Sequence, residues 1–126
     1  MSNIKIGYKI VTVEDGRYFS MGKGFLLGQL HCMQYHTDKR AYPIRGYGPL
    51  CVFKSLKSAA RSIKRLKFHH PGSLTIFRCM YRRSSREGVW IPDGDIISMD
   101  VINGRSPGTR LADWVRLIEE IDDERG

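Results

Sequence analysis

Between Lys39 and Arg86 the chain has no Asp or Glu, although that stretch holds thirteen of its 21 Lys and Arg. A stretch so free of acid lacks the mixed-sign pairing that keeps an ordinary surface neutral. Cysteine is also scarce. The three cysteines (Cys32, Cys51, Cys79) are an odd number and widely spread. That excludes a disulfide framework and favours a reducing compartment, so a cytoplasmic location is expected. No apolar run approaches the ~18–20 residues of a membrane-spanning helix. The opening, MSNIKIGYKI, has no apolar core of a secretion signal. No CxxC or HExxH is present, so the spacing that announces structural or catalytic zinc is missing. The Gly-rich segment 22–28 (GKGFLLG) fits neither GxxxxGK[ST] nor GxGxxG and reads as a connector. GxSxG is absent too, and a chance set of Cys, His and Asp is not a triad.

What is present amounts to one domain. The 126 residues carry a net charge of +8 and are 41% hydrophobic. That length suffices for a single core, which we place at residues 1–121, with an acidic tail at 122–126. The net charge conceals a segregation. Residues 1–38 hold four basic and three acidic side chains, and residues 87–126 hold four and ten. A basic centre followed by an acidic third attracts phosphates, nucleic acid or an acidic protein, unless the acidic third folds back and neutralises it.

Periodicity gives the elements. Residues 4–13 (IKIGYKIVTV) read as a strand, and Glu14-Asp15-Gly16-Arg17 as the turn of a hairpin whose second strand starts at Tyr18. Residues 29–48 show no clear period, with a short strand near 30–35. Leu50-Cys51-Val52-Phe53 reads as a buried strand, after which Ser55 can cap a helix. Across 56–67, Leu56, Ala59, Ala60, Ile63 and Leu66 form one helical face and Lys57, Arg61, Lys64 and Arg65 the other. Residues 74–81 read as a strand followed by a loop over 82–88. Val89–Ile91 and Ile96–Ile102 read as short strands, the latter closed by Asn103-Gly104. The segment 110–121 (RLADWVRLIEEI) fits a helix or a strand. The sum is an α+β fold: a mostly antiparallel sheet packed on one main helix at about 55–67.

The chemical signal lies in the cations. Lys57, Arg61, Lys64 and Arg65 form a helix face, and Arg82, Arg83 and Arg86 a second cluster in the following loop. Long cationic side chains bind phosphate backbones and release counterions. Tyr47 and Tyr81 are candidates for stacking on bases. For zinc, His31, Cys32, His36, His69, His70 and Cys79 are the available ligands, but buried cysteines and surface histidines account for them better. No catalytic residue, metal or cofactor is assigned.

Three stretches carry a resemblance: Gly7-Tyr8-Lys9, GPLCVFKSLKSA at 48–59 and PGTRLADWVRLIEEI at 107–121. Together they resemble small proteins of phages and prophages that share a GYK opening strand, a GxxVFxSLxxA strand-to-helix segment and a late GTxLADxVRLIEE segment. The resemblance implies a strand at 110–121. It also implies a host-cell setting in which the protein antagonises a defence system, such as a CRISPR-type nuclease or nucleotide signalling. The partner would then be nucleic acid, a nucleotide, or an acidic or nucleic-acid-binding host protein, with no membrane and with homo-oligomers allowed. The strand-then-helix layout is also similar to ADP-ribosyltransferase-type folds, for which His31 and Tyr47 are candidates by residue type. A virion structural or assembly component is the third expectation.

Overall fold

A computed structural model of the chain describes residues 3–19, 34–43, 48–69, 73–86, 88–90, 96–98 and 107–121. The strands are β1 (Ile4–Glu14), β2 (Arg17–Phe19), β3 (Gln34–Tyr35), β4 (Leu50–Phe53), β5 (Ser73–Arg83), β6 (Gly88–Trp90), β7 (Ile96–Ser98) and β8 (Thr109–Ile121). The helix α1 (Leu56–His69) lies between β4 and β5. The fold is thus mostly antiparallel sheet with one helix among the described residues.

The longest pairing joins β1 to β5, in unbroken register from Ile4 opposite Arg82 to Val13 opposite Ser73. The other edge of β5 pairs with β8. The first residues of β8 pair with β4, and β4 returns to β1 through Tyr8 opposite Phe53. The ring β1–β5–β8–β4 is therefore closed, which removes the open sheet edges that invite aggregation. Next to β4, a second bridge spans from β1 to β8. It runs through β2, β3 and the segment after β3. There Ala41 and Val115 exchange hydrogen bonds of 2.7 and 2.9 Å, and Leu117 N–H donates to His36 C=O at 3.1 Å. β6 and β7 form a separate two-stranded pair.

Strand side chains alternate between faces, so this register sorts the apolar residues into two cores. Val11, Phe77 and Cys79 point into the ring, where they meet Tyr35, Ala41, Val52, Tyr81, Ala112, Val115 and Leu117. Ile10 and Ile76 point outward and meet Ala59 and Ile63 of α1. Each large side chain buried this way contributes about 1.5–3 kcal/mol. Two register shifts, at Arg78/Cys79 and Arg82/Arg83, bend β8 around β5.

Local chemistry sets the ends of the elements. Asp15 and Gly16 both have positive φ, 51° and 75°, and Glu14 faces Arg17. This is the two-residue loop whose twist suits a hairpin. The Ser55 hydroxyl accepts from the Ser58 N–H at 3.1 Å, so the expected cap is present and the helix begins at Leu56.

Sequence and structure differ in several places. The helix runs to His69, two residues past the expected end. The segment 110–121, which periodicity left open and the resemblance gave as strand, is indeed strand, because β5 and β4 pair with its two edges. Arg82 and Arg83 belong to β5 rather than to a loop, held by pairing to both β1 and β8. The Gly-rich 22–28 segment, the Asn103-Gly104 turn and the tail at 122–126 lie outside the described residues.

Gly7 sits where the ring tolerates no side chain. A Cβ there would come within 2.7 Å of the Tyr81 ring and 2.9 Å of the Phe53 carbonyl oxygen. Gly7→Ala is expected to destabilise the fold by about 1–3 kcal/mol through overpacking. A lower urea midpoint with an unchanged m-value would show it, and an unchanged midpoint would refute the close packing.

Candidate basic helix face and buried lysine cluster

The cations of α1 are placed by the helix period. At 100° per residue, Lys57, Arg61, Lys64 and Arg65 fall within about 100° of arc, opposite Ala59 and Ile63. All four are exposed, while Ala59, Ser62 and Ile63 are buried. The helix contains no Asp or Glu. Its outward face is therefore a ridge of positive charge with no carboxylate of its own to neutralise it.

The second predicted cluster is elsewhere. Arg82, six residues beyond Ile76 on β5, lies about 20 Å further along the strand, at 3.3 Å per residue. Arg82 Nε lies 3.7 Å from Asp113 Oδ2, and Arg78 pairs with Glu119. Arg83 and Arg86 are exposed near the same end, where Arg86 N–H donates to Ser84 Oγ at 3.1 Å. The acidic third of the sequence thus does fold onto part of the basic centre, through carboxylates on β8. Such exposed pairs add at most about 1 kcal/mol each to stability, but they do cancel local charge.

The aromatic expectations separate. Tyr81 is only 4% exposed and lines the ring core, so its face is not available to a base, which corrects the stacking assignment. The strand alternation that buries Phe77 and Cys79 buries Tyr81 with them. Tyr47 and His31 lie outside the described residues. Trp114 is buried as well, with the Arg40 guanidinium 4.1 Å from its ring centroid.

Among the metal candidates, Cys79 is buried and His36 half-buried, and His31, Cys32 and His70 lie outside the described residues. Among the described residues no three His, Cys, Asp or Glu gather as a metal set. Likewise no described helix is long and apolar enough to cross a membrane.

Sequence reasoning missed Lys9. Its strand position, between the inward-facing Gly7 and Val11, aims it into the ring. Lys9 Nζ donates to the Cys51 carbonyl oxygen at 2.5 Å and sits 5.2 Å from the Tyr35 ring centroid. It therefore ties β1 to β4 and β3 across the seam between the two bridges. The available signal was parity. Lys9 shares its strand face with Val11 and Val13, an arrangement that reads as amphipathic only if the other face is the core.

Burial and charge oppose one another in this cluster. Burial works against the Lys9 ammonium, yet its interactions with Tyr35, Cys51 and Cys79 hold its pKa above the ordinary lysine value. Burial pushes the Tyr35 phenol and the Cys51 thiol up, with Lys9 opposing both. Burial likewise raises the Cys79 thiol to about 12. Both thiols therefore stay protonated near neutral pH and are poor nucleophiles. The cluster ties strands together.

Comparison with protein-family models, curated proteins and solved structures gives no match to this chain.

All four shifts act with one sign on stability. Each group holds its proton more tightly when folded than when unfolded. Above the ordinary values of 9.0 for cysteine and 10.0 for tyrosine, the unfolded chain loses protons that the folded chain keeps. The contribution of these groups is expected to be constant below pH 8 or so, and stability to fall progressively as pH rises through about 9 to 12. Urea unfolding at pH 8 and at pH 10.5 measures this fall. Cys79→Ala should flatten it, and an equally steep fall in that variant would exclude the Cys79 contribution.

Proposed function

We propose that the protein binds a phosphate-rich or acidic partner through the outer face of α1, with Lys57, Arg61, Lys64 and Arg65 as the contact residues. One observation carries this reading. The helix is bare of acid, its apolar side is spent on the sheet, and its four exposed cations share one face. A face kept only for solubility normally mixes signs, since Glu–Lys pairs at i,i+4 add stability. Leaving such pairs out costs helix stability and creates a positive field, which is useful only if something negative arrives.

The carboxylates of β8 sharpen the same picture. They meet Arg78 and Arg82 on the strands, so the described acids of the last third act at the strands. Arg82, Arg83 and Arg86 would at most extend the contact of a long partner. The resemblance to small phage and prophage proteins supports a setting for this binding. In it, the protein acts without catalysis against a host defence system, and the partner is a defence nuclease, its nucleic acid or a signalling nucleotide.

Binding is tested with heparin and with a fluorescent oligonucleotide. Arg61→Glu combined with Lys64→Glu should weaken both by about tenfold or more at low salt and leave the circular-dichroism spectrum unchanged. The control is Lys5→Glu with Lys39→Glu, which makes the same change in net charge at two exposed positions off the helix. If the control weakens binding as much as the helix variant does, net charge and not this face is responsible. Undiminished binding by the helix variant would exclude the face outright.

A further inference from the structure

We infer that the outer face of the sheet, at the Ile4 end of β1, is a second binding surface that takes a single strand of nucleic acid by stacking its bases on Tyr42 and Arg40. This surface is separate from α1 and does not depend on the reading of the helix. Ala41 and Val115 exchange two backbone hydrogen bonds, and both are buried. Strand alternation therefore turns Arg40, Tyr42, Trp114 and Arg116 together to the outer face. Sheet pairing continues that face sideways. On β5, Arg82 lies opposite Trp114 and Met80 opposite Arg116. On β1, Ile4 lies opposite Arg82 and Ile6 opposite Met80. The helix packs over Ile10, four residues past Ile6 and so about 13 Å further along β1.

Exposed apolar surface gathers here. The large apolar side chains left exposed among the described residues are Ile4, Ile6, Tyr42, Leu56 and Ile118. Ile4, Ile6 and Tyr42 belong to this face, and Ile118 follows Arg116 along β8. A concentration of this kind marks a contact surface. Tyr42 is the most exposed of the five, at 55%.

Cations are set among these apolar groups. The Arg40 guanidinium lies 4.1 Å from the Trp114 ring centroid, and Arg116 Nε donates to the Thr37 carbonyl oxygen at 3.2 Å. Both arginines are exposed, and neither an indole ring nor a neutral carbonyl cancels their charge. Asp113 meets Arg82 instead, so Arg82 is not counted as a contact.

Rings interleaved with cations on an open sheet face suit bases and phosphates at once. Tyr42 offers its phenol ring. A guanidinium held over Trp114 offers its outer side to a second base. The two residues are neighbours on one face of an extended segment, about 7 Å apart. Bases in a duplex are already stacked on one another and cannot use this platform. A second copy of the chain fits the face less well, because a two-fold contact would set its arginines against their own counterparts.

The test measures binding of the full chain to fluorescent twelve-base oligo(dT) and oligo(U), to an abasic chain of the same length, and to heparin. The tighter of the two oligonucleotides assigns the sugar. Tyr42→Ala should weaken it by about fivefold or more, and Tyr42→Phe should stay within about twofold of wild type. Heparin has no bases, so Tyr42→Ala should change its binding by less than about twofold. The abasic chain should bind about fivefold or more weaker than oligo(dT) and keep the same salt slope, which Arg116→Gln should flatten by about 0.7. The loss in Tyr42→Ala should persist in the Arg61→Glu, Lys64→Glu background, so the two surfaces stand or fall separately. Absence of binding to both oligonucleotides, undiminished binding by Tyr42→Ala, or an equal loss on heparin overturns the assignment. So does a dimer in sedimentation that Ile6→Glu dissociates while oligonucleotide binding is unchanged, which gives the face to a second copy.

Discussion

The unbroken antiparallel register between β1 and β5 is the constraint on which the molecule turns. It joins residues some sixty to eighty positions apart, from Val13–Ser73 to Ile4–Arg82. Every odd residue of β1 and β5 then faces the ring, and every even residue faces outward. A slip of one residue would exchange the two sets. Val11, Phe77 and Cys79 would leave the core, and Ile10 and Ile76 would lose the helix that covers them. Closure of the ring, the seat of α1 and the direction of its charged face all follow from this one alignment.

Lys9 works with that constraint. A lysine reaching inward is costly, because its charge must leave water. The Cys51 carbonyl and the Tyr35 ring compensate it, and both come from strands other than its own. The compensation exists only in the native register, with β3 and β4 both in place. An apolar residue at position 9 would pack in several alignments. A cation that finds its partners in one alignment penalises the others. A buried polar group can specify structure in this way, and here the geometry gives that role concrete partners.

Elements whose signal is local were legible in the sequence. The helix followed from the spacing of Leu56, Ala59 and Ile63 and from the cap at Ser55. The first hairpin followed from Asp15-Gly16. Elements whose state depends on distant partners were harder. For 110–121, Leu111, Trp114, Val115 and Ile118 suit a helical stripe as well as a strand. What decides the matter is that β5 and β4 present edges to it. Arg82 and Arg83 look like loop residues because they are charged, yet pairing on both sides carries β5 through them. Parity in β1 misleads for the same reason. Ile4, Ile6, Tyr8 and Ile10 look like the core face, but Ile4 and Ile6 remain 42% and 51% exposed, while the face that holds Lys9 turns inward. Tyr81 was misjudged by the same parity, since its odd position on β5 could be read as inward only once the ring was known.

Charge shows how local and distant effects divide the surface. The basic centre of the sequence becomes two different surfaces once folded. On β5 the arginines lie beside β8, which brings Asp113 and Glu119 against Arg82 and Arg78. Sheet pairing therefore makes neighbours of opposite charges that are more than thirty residues apart in sequence. The helix has no such neighbour built into its hydrogen bonding, because its backbone bonds are all internal. Its own sequence supplies no carboxylate, so no Glu–Lys pair forms along the helix. Segregation of acid from base along the chain thus acts twice. It brings acids to Arg78 and Arg82 on the strands, where pairing delivers them, and it gives the helix an outer face whose described side chains at positions 57, 61, 64 and 65 are all cationic.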